Sequence, residues 1–217
     1  MQRMNRNDKN MWLDSPDRYG MISRLLHWGM AYLLIWQFAV ILMWRIFGSA
    51  DWVKNVTSFG PGHGTVGLLT ILLVVIRVIW ALINRGRRPA RASGWSGRAA
   101  AVVHFCFYGL MFIIPALALV RAYGNGRGFM PWIPATGVRV EWMVAPANQL
   151  HGVLSWCLSA LIAGHIVMAL FHQLALKDGT LARMTGPFRP STAGRCCDLE
   201  ISATGASSSV RSQRPLI

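Results

Sequence analysis

Residues 151–172 read HGVLSWCLSALIAGHIVMALFH, an apolar stretch of helical length that carries His151, His165 and His172. His165 follows His151 by fourteen residues. At about 100° per residue that spacing returns to within roughly 40° of the same helix face, with a rise of about 21 Å. Two imidazoles therefore point the same way at two depths of one helix. An imidazole in apolar surroundings stays neutral or finds a partner, and a neutral imidazole is a metal ligand. If each faces a second histidine from another helix, the chain holds two stacked sites, and the rest of the sequence must supply the partners.

The chain has 217 residues, 53% hydrophobic and only 14% charged, with a mean hydropathy of +0.38. That is too apolar for a soluble domain of this size. Four apolar runs of about twenty residues lie near 22–44, 64–84, 100–120 and 152–174. They predict an all-α membrane protein built as a four-helix transmembrane bundle. The runs are long, Leu-rich and uninterrupted, which excludes a barrel of short alternating strands. Residues 1–21 begin MQRMNRNDKN and read as a polar, mobile leader rather than a signal peptide, so the first span is expected to direct insertion. Within it, Asp14-Ser15-Pro16-Asp17 is expected to start a turn or a helix. Residues 22–184 then form the bundle, and the Ser/Gly/Arg-rich residues 185–217 are expected to be a disordered tail.

The net charge of +14 suggests nucleic acid until the charges are placed. Arg3, Arg6, Lys9, Arg18 and Arg24 precede or open the first span. Arg85, Arg87, Arg88, Arg91 and Arg98 fill the second loop, and Lys177, Arg183, Arg189, Arg195, Arg211 and Arg214 follow the last span. The other side holds Arg45, Lys54, Arg121, Arg127 and Arg139. This asymmetry is a positive-inside signal that puts both termini in the cytoplasm and leaves no case for nucleic acid. Inner and outer below name these two sides. Cys106 and Cys157 lie in spans and Cys196 and Cys197 in the tail, so no disulfide is expected.

Topology then pairs the histidines by depth. His27 lies one turn inside the first span, near the inner face, and His165 is the deeper, inner histidine of the last span. His63 opens the second span at the outer face, level with His151. The matched pairs are His63 with His151 and His27 with His165. Each pair can clamp one haem iron through two imidazoles, with the irons separated across the membrane by about 20 Å. The spans contain no Asp or Glu, which argues against a carboxylate di-iron site, and two levels of histidine argue against zinc. Arg77 lies inside the second span and serves the inner half, either as the partner of a haem propionate or by snorkelling inward. Pro115 is expected to kink the third span. The loop 121–150, rich in Gly, Pro and Trp, is expected to fold as a lid over the outer site.

His104 and His172 remain, both near the inner face. They read either as interfacial histidines or as a quinone pocket beside the inner haem, where an imidazole hydrogen-bonds a carbonyl and relays a proton. Lys177 and Arg24 would stabilise the charge that develops there.

These residues resemble the bacterial cytochrome b561 family, the dihaem membrane cytochromes that include superoxide oxidase. The resemblance covers about residues 17–184. It rests on RYGMISRLLHW with His27, on His63 and the GTVG after it, on HFCFYGLMFIIPALAL with Pro115, and on LHGVLSWCLSALIAGHIVMALFHQLALKDGTLARM. It implies haem ligation by His27, His63, His151 and His165, two haem b cofactors, and a ubiquinone site near the inner haem to which His172 belongs. Gly64 departs from relatives that often carry a polar or basic residue there, and the tail after Met184 is longer than usual. The expected activity is electron transfer from the outer face of a bacterial inner membrane to ubiquinone, with superoxide as the donor. The alternative is a haem b anchor subunit that passes electrons between a partner dehydrogenase or hydrogenase and the quinone pool.

Overall fold

The fold was read from a computed structural model, which describes residues 11–90 and 94–186. The elements are α1 (Met21–Phe47), α2 (Asp51–Ser58), α3 (His63–Ile83), α4 (Gly94–Gly124), α5 (Glu141–Phe171), a π-helical segment (His172–Leu176) and α6 (Ala182–Thr185). Four segments are long and apolar enough to cross a membrane: Met21–Phe47, Asp51–Ile83, Gly94–Gly124 and Glu141–Leu176. Among the described residues there is no strand, only an isolated bridge between Phe129 and Ile133. The expected four-helix membrane bundle is what the chain forms. The tail expected from residue 185 lies, from 187 on, outside the described residues.

The helices outrun the apolar stretches that predict them. A hydrocarbon core of about 30 Å needs about twenty helical residues. Both α4 and α5 have 31. Their extra turns are the polar Gly94–Ala99 and the Pro-bearing Glu141–Leu150, which continue the helix beyond the bilayer. The long outer connection therefore shortens to residues 125–140. Residues 51–58, expected as loop, form α2, with Val53 fully buried.

The leader is ordered from residue 11, contrary to the expectation of a mobile segment. Asp14 is the reason. Its buried carboxylate accepts the Gly20 N–H at 2.8 Å and the Arg88 Nε–H at 3.1 Å. Ser15-Pro16-Asp17 forms the expected turn, with Ser15 N–H donating to the Arg18 carbonyl at 2.9 Å. At the inner end, the Met184 carbonyl accepts from Arg24 Nε at 2.9 Å and Trp28 Nε1 at 3.3 Å. The start of α1 and the exit of α5 therefore share one side of the bundle.

Helix α4 packs along α5, α3 packs on α4, and α1 packs on α3. Helix α5 has no comparable packing on α1 or α3. The buried cluster is Met30, Val74, Met111, Ile114 and Leu158, with Leu154 and Ile162 packed against it. Leu158 lies seven residues from both His151 and His165. This buried cluster thus lies between the two histidine levels. Large apolar residues on the outside, such as Leu72, Ile79 and Val167, are exposed because lipid is their solvent.

Candidate cofactor site

Helix α5 faces α1 and α3 through histidine rings. His63 and His151 have ring centroids 6.0 Å apart, and His27 and His165 are 6.4 Å apart. Two imidazoles bound trans to one metal by bonds of about 2 Å place their centroids about 6 Å apart. Both depth-matched pairs meet that spacing, between helices whose backbones do not pack. A model of the prokaryotic cytochrome b561 family matches residues 18–187. The chain belongs to this family.

Two relatives bear this out over nearly their whole length. The chain is 31% identical over 179 residues to cytochrome b561 homolog 2 of Escherichia coli (strain K12), covering 80% of this chain and 94% of that protein. It is 28% identical over 182 residues to cytochrome b562 of Cereibacter sphaeroides, covering 78% and 96% respectively. The cytochrome is therefore a multi-pass membrane protein of a haem b electron-transfer family.

The donor set at the outer level fits such a group. His151 Nδ1 lies 2.9 Å from the Ile114 carbonyl oxygen. A carbonyl only accepts, so Nδ1 carries the proton and Nε2 keeps its lone pair, the tautomer a metal needs. The buried polar side-chain atoms without a hydrogen-bond partner are Gln37 Oε1, His63 Nδ1, Arg77 Nη1 and Asn84 Oδ1 among the described residues. Three of these four flank the histidine levels, and an orphaned buried polar atom is costly unless something else meets it. Gln37 already touches the outer site, with Nε2 donating to the His63 carbonyl at 3.1 Å. No three His, Cys, Asp or Glu side chains converge on one point among the described residues. Paired imidazoles are the donor set these residues offer.

His165 has a second imidazole neighbour. His104 of α4 stands 5.9 Å from it, closer than His27, and its Nδ1 meets the Ala100 carbonyl at 2.6 Å. His104, expected either at the interface or beside a quinone next to the inner haem, stands against the inner pair. Packing separates the two candidates. Helices α4 and α5 pack more closely than α1 and α5, which leaves more room for a flat macrocycle between His27 and His165.

The other expected quinone residues stand at the inner ends of α1 and α5. His172 sits where α5 loosens into the π-helical segment, with Nδ1 2.6 Å from Asp178 Oδ2. Lys177 is exposed in a left-handed conformation at φ 51°, and Arg24 donates to Met184. Asp178 went unnoticed in the sequence, although it stands in the quoted KDG stretch. Its carboxyl is held down to about 2 by the Thr180 backbone N–H first and by the His172 ring second. The folded value lies below the unfolded value of about 3.9. These hydrogen bonds therefore favour the folded form above that value, and the advantage is lost as pH falls through about 2. At neutral pH Asp178 is an acceptor that fixes the proton of His172 on Nδ1 and leaves Nε2 to exchange.

At the outer end the loop 125–140 folds over the start of α3. A Cβ on Gly64 would stand 2.6 Å from Phe129 Cε2. Gly64 thus leaves room for an aromatic ring of the loop, next to His63. The two outer acids are each matched by a cation, Asp51 with Lys54 at 3.0 Å and Glu141 with Arg139 at 2.7 Å. Arg45, Arg121 and Arg127 remain as the outer excess of positive charge. Arg121 and Arg127 line a polar recess of about 450 Å³ with Asn125 and Asn148.

Proposed function

We propose that the cytochrome is a dihaem quinone reductase of a bacterial inner membrane. It takes electrons at the outer face and delivers them to ubiquinone at the inner face, with superoxide as the donor. The supporting observation is the pair of 6.0 Å and 6.4 Å imidazole spacings on helices that leave room between them. His63 and His151 hold the outer group, and His27 and His165 the inner one. Haem b supplies a one-electron couple at each level. The protein's own part is to fix the rings, exclude water with the Leu158 cluster, and manage charge at the two ends.

At the outer end the unmatched Arg45, Arg121 and Arg127 attract an anion and raise its encounter rate. Each superoxide gives up one electron and leaves as dioxygen. At the inner end one ubiquinone takes two electrons and two protons. His172, its Nδ1–H held by Asp178, takes up a proton from inner water on Nε2 and passes it to the quinone.

A pulse of superoxide on the purified protein should reduce its haem within the mixing time, and ubiquinone should reoxidise it. His172→Ala and Asp178→Asn should leave the reduction unchanged and slow the reoxidation by about 10–100-fold, the usual range of acid–base help. Stopped-flow absorbance reads both phases. Haem that ignores superoxide would sink the donor assignment. It would favour the second reading, an anchor for a redox partner, for which the exposed Met130, Trp132 and Val138 of the outer loop supply an apolar face. Unchanged reoxidation in both variants would remove the dyad from the quinone site.

A further inference from the structure

Arg77 stands six residues inside the inner end of α3, and its guanidinium turns into the bundle. Nε donates to Tyr108 Oη at 3.1 Å, Nη2 lies 3.2 Å from His27 Nδ1, and Nη1 is buried without a partner. The side chain does not snorkel to the inner surface. A guanidinium only donates, so its approach to His27 requires a lone pair on Nδ1 and leaves the ring proton on Nε2. A ring that binds iron through Nε2 needs the reverse. These two states of His27 exclude each other.

Among the described residues the cation also has no counter-charge. Helices α1, α3 and α4 contain no Asp or Glu, and the single acid of α5, Glu141, is at the outer end and paired with Arg139. An intramembrane arginine is sustained by pairing, and carboxylate is the partner its planar fork matches best. Among the described residues no carboxylate pairs with Arg77, so its anion is sought outside them.

We propose that Arg77, steadied by Tyr108, is the carboxylate clamp of the inner site, exchanging His27 Nδ1 for a propionate of the bound haem. The exchange rests on the reading of His27 and His165 as the inner ligands. It joins two events: the guanidinium acquires its anion, and His27 is released into the tautomer that ligates. A phosphate of a lipid headgroup shares the required charge and geometry, and the experiment below separates the two sources.

The test titrates the full-length His151→Ala protein, which keeps only the inner site, with haem b and with its dimethyl ester in a phosphate-free detergent. With Arg77 present, haem b should bind about tenfold or more tightly than the ester, the worth of one charge-assisted contact. Arg77→Leu should erase the difference by weakening haem b alone, and Tyr108→Phe should reduce it. Thermal unfolding of the haem-free chain checks that Arg77→Leu folds. Equal binding of the two forms with Arg77 present would overturn the clamp, as would a preference that survives Arg77→Leu. An Arg77-dependent stabilisation by anionic lipid, without discrimination between haem and ester, would assign the guanidinium to a headgroup and also overturn it. Failure of the underlying ligand reading has a different signature, retention of both haems in His27→Ala, and it overturns this inference too.

Discussion

His151→Ala should carry one haem b per chain where the parent carries two, with the inner group untouched. His151 is the better-prepared member of the outer pair, because the Ile114 carbonyl at 2.9 Å holds its proton on Nδ1 and leaves the Nε2 lone pair free. Removing the ring deletes a metal bond. Haem affinity at that level should fall by more than the roughly 10–100-fold that loss of a supporting hydrogen bond costs at a metal site. The fold should survive, since Leu158 lies two turns away and the hydrogen bond lost to the buried cluster is the one to the Ile114 carbonyl. His63→Ala should behave alike. A pyridine-haem assay against protein concentration reads the change, and two haems in either variant would dissolve the outer pair.

The second large effect separates His27 from His104. His165→Ala and His27→Ala should each remove the inner haem and keep the outer one. His104→Ala should keep both, although its ring is the closer to His165, at 5.9 Å against 6.4 Å. Distance favours one partner and space favours the other. Helix α4 rests on α5, whereas α1 does not, and a macrocycle needs the gap. Haem counting on the three variants decides it. Loss of the inner haem in His104→Ala with retention in His27→Ala would reverse the assignment.

The fold was legible in the sequence because four long apolar runs admit one solution in lipid. The helix ends were not. Gly94–Ala99 and Glu141–Leu150 are polar or Pro-bearing, so hydropathy stopped at residues 100 and 152, while backbone hydrogen bonding continues the helices into water. The leader's order was hidden for a similar reason. Asp14 looks like a solvated turn residue until Arg88, 74 positions away, is folded against it.

At the site, the fourteen-residue spacing of His151 and His165 carried real information, since depth in a membrane follows directly from position along a helix. Depth alone does not say which helices leave a gap between them, so His104 was left open between the interface and a quinone pocket. Direction was equally invisible for Arg77, whose two possible uses differ only in the side to which the guanidinium turns. Gln37 had a signal that went unread, a lone amide in an otherwise apolar span, and so did Asp178, an acid six residues after a histidine at a membrane exit.

Low-temperature electron paramagnetic resonance of the oxidised full-length protein, with haem per chain counted on the same sample, tests the two imidazole-clamped sites most directly. Two haem b per chain, both low-spin because each iron has two nitrogen axial ligands, is the expected result. One haem per chain, or a substantial high-spin ferric signal, would contradict the pairing of His63 with His151 and of His27 with His165.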